Sequence, residues 1–191
     1  MNPDNPFELN EFDTTAAFID GPSLYWAYRQ LGHESQMDFL KLRDFIADNS
    51  RNQSLSYYTV LPPAHRRDAN GHTPIKPLAD MLGFNGFRVH MKEAYSVQTD
   101  LGMRTKGSIN LDLGLDAYDA AHRGINHVMM FVNDDDFLPV ISRIKDLQTR
   151  VTLVSTEVRN VAPSDLIWSA DNFIDLDDIK HLLARKRQDD E

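Results

Sequence analysis

Residues 127–137 form the stretch HVMMFVNDDDF, which indicates how the rest of the chain is organised. The apolar run 127–132 predicts a buried β-strand, because a strand inside a parallel sheet is covered on both faces. Apolar residues then recur at helical spacing over 137–147, which predicts a helix. The carboxylates of residues 134–136 therefore lie between the carboxyl end of a strand and a helix, where open α/β sheets bind their ligands.

Helix capping explains part of this acidic turn. Asp is a common N-cap residue, so Asp134 or Asp136 is suited to cap the helix that follows. Capping explains one acid or two, but not three beside Asn133. A divalent cation would relieve the repulsion between crowded carboxylates. The turn alone leaves capping and a ligand site open as alternatives.

The composition favours one globular domain. The chain has 191 residues, of which 41% are hydrophobic and 26% are charged, as is usual for such a domain. Cysteine is absent, so disulfides and thiolate metal sites are excluded. Neither a membrane-spanning run nor a signal-peptide pattern is present, so we expect a cytoplasmic protein with no membrane partner.

The formal net charge of −9 argues against binding of nucleic acid by bulk electrostatics. It does not exclude a nuclease, because carboxylates gathered around a metal ion raise the negative count while the ion offsets them locally. Any contact with nucleic acid must then come from local basic groups.

Strand and helix patterns alternate along the chain, which predicts an α/β three-layer sandwich with a central, mostly parallel sheet. We expect a flexible arm over 1–13, a single domain over 14–180 and a charged tail over 181–191. Trp26 and Trp168 lie at helical positions and are predicted to be core residues. The segments 62–74 and 92–107 are predicted to be polar connections. The predicted strands cover 14–20, 55–61, 87–91, 127–132, 150–155 and 173–174, and the predicted helices cover 23–30, 37–48, 75–82, 108–123, 137–147, 164–170 and 177–186.

A second strand, 14–20, also ends in a carboxylate, Asp20. Adjacent parallel strands bring their carboxyl ends to one edge of a sheet, so Asp20 is expected to face Asp134 and Asp136. In the preceding helix, Asp112 and Asp116 share a face, and Asp116 is expected to reach the same pocket. Oxygen ligands of this kind suit Mg²⁺ or Mn²⁺, and such a site suits phosphodiester hydrolysis.

The order of these motifs resembles the NYN domains, the LabA-like branch of the PIN-like nucleases, over residues 14–176. Each motif is weak alone, and four in the same order are more specific. The resemblance implies a PIN-like (Rossmann-like) fold and a Mg²⁺- or Mn²⁺-dependent endoribonuclease that acts on single-stranded or structured RNA. The matching pieces are FIDGPSL at 18–24, KG at 106–107 followed by LDLGLD at 111–116, FVNDDDF at 131–137, and SDL at 164–166 with ADNFID at 170–175.

The resemblance also implies roles for individual residues. The catalytic metal ligands would be the four acids that match the family motifs, Asp20, Asp116, Asp134 and Asp136. Asn110 and Asp112 are further candidates for the metal. Substrate contacts are assigned to Ser23, Asn133, Arg104 and Lys106. Weaker candidates in or beside the loops, for which surface solubility is an equal or better explanation, are His65, His72, Arg66 and Arg67.

Three departures from the family pattern support a second hypothesis. Asn110 stands where the family has its first helical Asp, Ser23 replaces an Asn, and Val132 replaces a Ser. A neutral residue 110 removes a charge from the metal site. The alternative is a catalytically weakened module that binds RNA or a protein partner, and a homodimer is left open. A phosphatase is disfavoured, because neither strand-end acid begins a D-x-D-x-T motif.

Overall fold

A computed structural model describes residues 14–32, 37–48, 50, 52–63, 75–100 and 102–185, and for residues 99 and 102–106 it describes the backbone alone. The predicted arm over 1–13 and the loop residues His65, Arg66, Arg67 and His72 lie outside this part of the chain.

The described chain contains a six-stranded parallel sheet. Its strands are β1 (Thr14–Asp20), β2 (Asn52–Leu61), β3 (Phe87–Glu93), β6 (His127–Phe131), β7 (Arg150–Ser155) and β8 (Asn172–Asp175). They lie in the order β3-β2-β1-β6-β7-β8. The chain adds strands on one side from β1 to β3, returns to the centre, and adds strands on the other side from β6 to β8. The order reverses between β1 and β6, which is the point where α/β sheets bind ligands.

Helices cover both faces of the sheet, so the predicted three-layer α/β sandwich is confirmed. The helices are α1 (Gly21–Gln30), α2 (Phe39–Ala47), α3 (Ile75–Phe84), α4 (Asn110–His122), α5 (Leu138–Asp146), α6 (Ser164–Ser169) and α7 (Leu176–Leu183). Alternate residues of each strand point to opposite faces of the sheet. Ala17 and Ile19 pack with the cluster under α1, α2, α3 and α7, whereas Ala16 and Phe18 pack with the cluster under α4, α5 and α6.

The segment predicted as a polar connection over 92–107 instead contains an antiparallel hairpin. Its strands are β4 (Tyr95–Thr99) and β5 (Gly102–Lys106), which pair with each other outside the main sheet. The Tyr95 side chain is 61% exposed. None of the described side chains of β4, at 95–98, is buried, so this strand does not need the apolar run from which a buried strand is predicted.

The predicted boundary at residue 180 is too early. Helix α7 continues to Leu183, which is fully buried, and Ala184 forms a bridge with Met37. The backbone of Asp38 also donates to the carbonyl of Leu183 at 2.8 Å. The start of the supposed tail therefore packs against the segment that leads into α2.

The core positions predicted for the two tryptophans are wrong. Trp26 on α1 is 57% exposed and Trp168 on α6 is 83% exposed. Helical spacing assigned them to a face, but other residues on the same helices occupy the core. On α1 these are Leu24, Ala27 and Tyr28. Within the described residues, no helix has both the length and the apolar character needed to cross a membrane.

The junction of β1 and α1 depends on a glycine. A Cβ atom at Gly21 would lie 2.3 Å from the hydroxyl oxygen of Tyr57 and 2.4 Å from the ring carbon that bears it. Tyr57 is itself 5% exposed, so its ring has little room to move. Gly21 therefore allows the Tyr57 ring to pack beside the end of β1.

We expect Gly21→Ala to lower the free energy of unfolding by about 1–3 kcal/mol, because the added methyl group overpacks a buried contact. Urea denaturation followed by circular dichroism measures this. Gly83→Ala is the matched control: Gly83 is exposed on α3, with no atom within 4 Å of an added Cβ. That change should raise stability by up to about 1 kcal/mol, through helix propensity. Destabilisation of similar size by both variants would contradict the packing argument.

Candidate functional site

Asp20 ends β1, as its position after an apolar run predicted, and it also caps α1. Its Oδ1 accepts a hydrogen bond from the Ser23 backbone N–H at 3.1 Å, and its Oδ2 accepts one from the Ser23 hydroxyl at 2.8 Å. Ser23 was predicted to contact substrate. Its N–H and O–H groups instead hold both oxygens of Asp20, so the structure gives Ser23 a positioning role.

Burial is the main cause that raises the pKa of the Asp20 carboxyl above its usual value. The two hydrogen bonds from Ser23 lower the pKa, and the negative charge of Asp134 raises it. Asp20 is 5% exposed, so this charge is felt through little solvent. The charge of Asp134 therefore acts on Asp20, and the metal site that the two acids are predicted to share stays a prediction.

Tyr57 is a member of this neighbourhood that the sequence did not single out. Burial and the charge of Asp20 raise the pKa of its hydroxyl to about 12. Tyr57 therefore remains protonated over the physiological pH range. Residues 55–59 of β2 are all buried, so Tyr57 is a core residue, but the sequence does not indicate that it lies beside Asp20.

Hydrogen bonds connect two carboxylates and one side-chain amide at the acidic turn after β6. Asp134 caps a short 3₁₀ turn, Asp135–Phe137, and its Oδ1 accepts from the Asp136 N–H at 2.9 Å. The Asn110 side-chain amide donates to Asp134 Oδ2 at 3.1 Å and to Asp136 Oδ2 at 3.4 Å. The first residue of α4 therefore bridges both carboxylates. Capping by Asp134 is therefore present, and the ligand site that the sequence left open beside it stays a prediction.

Asn133 was predicted to bind substrate, but its side chain connects elements of the protein. Its Nδ2 donates to the Ser23 carbonyl at 2.9 Å, and its Oδ1 accepts from the Ser155 hydroxyl. Both polar atoms of the amide are thereby used. Asn133 holds the turn after β6 against the start of α1 and the end of β7.

The two remaining predicted ligands on α4 lie elsewhere. Asp116 Oδ2 accepts from the Tyr58 hydroxyl at 2.6 Å, and Asp112 pairs with Lys92 at 2.7 Å. A residue of an α-helix is rotated by about 100° from its predecessor, so Asp116 is turned about 240° from Asn110. Asp116 therefore contacts Tyr58 of β2 and His90 of β3, and the prediction that it joins the other three acids in a metal site stays a prediction.

Among the described residues, no three His, Cys, Asp or Glu side chains are arranged to hold a metal ion together. The donor chemistry of Asp20, Asp134, Asp136 and the Asn110 carbonyl nevertheless fits Mg²⁺ or Mn²⁺, because all four provide hard oxygen atoms. The Asn110 N–H groups already occupy the space between two of these carboxylates. The set therefore fits a divalent cation by chemistry, with one neutral member.

The predicted substrate contacts of Arg104 and Lys106 stay predictions. Both residues belong to β5, where Arg104 pairs with Val97 and Lys106 pairs with Tyr95. Their side chains lie outside the described part of the structure.

Comparison with known proteins identifies the family. The model of the NYN domain matches residues 14–177, which span the whole sheet. The chain belongs to the NYN domain family. This places it in the PIN-like nuclease superfamily and agrees with the order of motifs in the sequence.

Two relatives are similar over most of the NYN domain. The "Low amplitude and bright protein LabA" of Synechococcus elongatus is 24% identical over 181 residues, which cover 89% of this chain and 87% of that protein. This supports the LabA-like branch. The crystal structure of a protein of unknown function from Vibrio parahaemolyticus superimposes with a TM-score of 0.71 and 21% identity. It covers 94% of this chain and 100% of that chain, and it supports the fold alone.

The pKa of Asp20 predicts how this NYN domain responds to pH. In the folded state Asp20 binds its proton more tightly than in the unfolded chain, so its contribution to stability is present below about pH 3.9 and is lost as the pH rises through the raised value. We expect Asp20→Asn to be more stable than the wild type at pH 7 in EDTA. Thermal denaturation from pH 7 to pH 3.5 should show this difference shrinking towards acid pH.

Asp135→Asn is the control for this experiment, because it removes an exposed carboxylate from the neighbouring turn. A stability difference between Asp20→Asn and the wild type that grows on acidification would contradict the argument.

Proposed function

We propose that the protein is a metal-dependent endoribonuclease whose site consists of Asp20, Asp134 and Asp136. The observation that carries this proposal is that Asn133, next to Asp134, donates to the carbonyl of Ser23, whose N–H and O–H groups hold Asp20. The charge of Asp134 raises the pKa of Asp20, and Asn110 bridges Asp134 to Asp136. Membership of the NYN family supports the same chemistry.

The residues that would hold a divalent cation are the three acids, with the Asn110 carbonyl as a neutral donor. When bound, such an ion lowers the pKa of a water molecule and stabilises charge that develops on a phosphate. The protein's own contribution is positioning. Ser23 fixes both oxygens of Asp20, and Asn133 fixes the turn that carries Asp134 against the turn that carries Ser23.

A second function is favoured by the amide of Asn110. In the NYN pattern this position is an acid, and here an uncharged side chain satisfies two carboxylates by hydrogen bonds. Metal affinity is lowered by the missing charge. A module that binds RNA or a protein partner without turnover is therefore the alternative, and the metal affinity of the site distinguishes the two.

We expect Asp134→Asn to lower the rate of RNA cleavage by at least about 100-fold, because an acid that would bind the metal is lost. Initial rates on an end-labelled single-stranded RNA in Mn²⁺ measure this, and circular dichroism checks the fold. The matched control is Asp135→Asn, in the same exposed turn but outside the Asn110 bridge. Cleavage by Asp134→Asn at the wild-type rate would contradict the proposal.

We expect Asn110→Asp to lower the stability of the metal-free protein and to raise its affinity for Mn²⁺. Without metal, the new carboxylate removes two hydrogen bonds and repels Asp134 and Asp136, so the melting temperature in EDTA should fall. In millimolar Mn²⁺ the melting temperature should rise by more than that of the wild type. A tenfold gain in affinity corresponds to about 1.4 kcal/mol of added stabilisation at saturating metal.

Three outcomes of this titration are informative. Stabilisation of both proteins by Mn²⁺, with cleavage by both, supports the nuclease. Cleavage by Asn110→Asp alone supports the non-catalytic module for the natural chain. If Mn²⁺ stabilises neither protein, residues 20, 134 and 136 do not form a metal site.

A further inference from the structure

An open groove of about 650 Å³ lies beside the acidic site, on the other side of α4. Tyr58 of β2, His90 and Lys92 of β3, and Asp112 and Asp116 of α4 line it. None of the three acids of the proposed metal site belongs to its lining. The groove therefore needs a function of its own.

A pair of stacked rings forms the floor of this groove. The rings of Tyr58 and His90 lie 4.4 Å apart at an angle of 12°. Tyr58 is fully buried, whereas the His90 side chain is 33% exposed, so the part of the stacked pair that solvent reaches belongs to the imidazole. Met91 and Leu115, which are 46% and 58% exposed, add apolar walls. A flat floor with apolar walls suits an aromatic ring.

Two polar atoms in the groove have no partner among the described residues. His90 Nε2 is buried without a hydrogen bond. Asp116 receives the Tyr58 hydroxyl on Oδ2, and its Oδ1 accepts no hydrogen bond from the described chain. The Asp116 side chain is 48% exposed and lines the groove. A ligand that offers an N–H group would satisfy its Oδ1.

The charge of the groove distinguishes a base from a phosphate. The lining contains two carboxylates, Asp112 and Asp116, and one ammonium group, Lys92, which is already paired with Asp112. This balance disfavours a phosphate group. It favours a neutral ring with hydrogen-bond donors at its edge.

We propose that the groove binds a nucleobase with an exocyclic amine, from the single-stranded RNA whose backbone lies at the acidic site. The base stacks on His90 and donates its amino group to Asp116. This inference rests on the proposed function, because it places the base next to the phosphate to be cleaved. It assigns substrate selection to Asp116.

Helix α4 connects the two sites. Its first residue, Asn110, contacts the acidic turn, and Asp116 lies about 9 Å further along the helix axis. Because Asp116 is also turned by about 240° from Asn110, a strand of RNA at the acidic turn must pass around α4 to place a neighbouring base in the groove.

The edge of the base determines the selectivity. Adenine and cytosine present an amino group to a carboxylate acceptor. Uracil presents carbonyl oxygens on either side of its only ring N–H, and these repel a carboxylate. Cytosine and uracil have the same ring size, so comparison of the two isolates the effect of the amine.

The test measures binding of short fluorescently labelled oligocytidylate and oligouridylate by anisotropy, in EDTA so that no metal-dependent cleavage takes place. The wild type should bind oligocytidylate about tenfold more tightly. Asp116→Asn, which still offers an acceptor to Tyr58, should lose this preference. Equal affinity of the wild type for both oligomers, or absence of binding to either, would overturn the proposal.

Two further variants separate stacking and fold effects from recognition. His90→Ala should weaken binding of both oligomers by about tenfold, because stacking does not depend on the base edge. Asp119→Asn, one turn further along α4, removes a carboxylate that pairs with Arg123 outside the groove, and should leave the preference unchanged. Loss of the preference in Asp119→Asn would overturn the assignment to Asp116.

The binding assay and the cleavage assay test the two proposals separately, so either proposal can be rejected while the other stands. If Asp134→Asn abolishes cleavage but the wild type shows no base preference, the nuclease stands and the groove proposal is wrong. If the preference depends on Asp116 but no variant affects cleavage, the groove stands and the nuclease proposal is wrong.

Discussion

The amide of Asn133 joins the carboxyl ends of three strands, and the candidate site depends on it. This side chain follows β6, donates to the carbonyl of Ser23 beyond β1, and accepts from the buried hydroxyl of Ser155 at the end of β7. Loss of the amide would leave buried polar groups unsatisfied, at about 1–3 kcal/mol each. Asn133 therefore fixes the separation of the turns that carry Asp20 and Asp134, which the sheet alone sets only approximately.

The central strands could be predicted because they are buried on both faces. Residues 151–154 contain three apolar residues between Arg150 and Ser155, and β7 occupies residues 150–155. The same property places Asp20 at the end of β1, since the first acid after an apolar run marks the end of the strand, although Asp20 itself is 5% exposed. The β4–β5 hairpin has no such run, because it pairs outside the main sheet. The strands of the main sheet could therefore be predicted from the pattern of apolar residues that burial requires, rather than from strand propensity.

The acids at strand ends could be located from the sequence, whereas the groups around them could not. The end of a parallel strand has one location in the fold, so Asp20 and Asp134 lie at the carboxyl ends of the paired strands β1 and β6, while a metal site between them stays a prediction. A helical residue also needs its rotation, and a shift of one position changes its direction by about 100°. This is why Asp116 faces Tyr58. For Ser23 and Asn133, residue type gives the capacity for hydrogen bonds and leaves the partner undetermined.

Residue 110 links the two functions considered for this NYN domain. Its amide satisfies Asp134 and Asp136 by hydrogen bonds but adds no positive charge, so the repulsion between Asp134 and Asp20 persists and helps to raise the pKa of Asp20. A divalent cation would remove this repulsion, but to use the Asn110 oxygen as a ligand the amide must first give up both bonds. The interaction that stabilises the metal-free protein therefore opposes metal binding. Metal affinity, and with it the balance between nuclease and binding module, follows from the difference between these two electrostatic contributions.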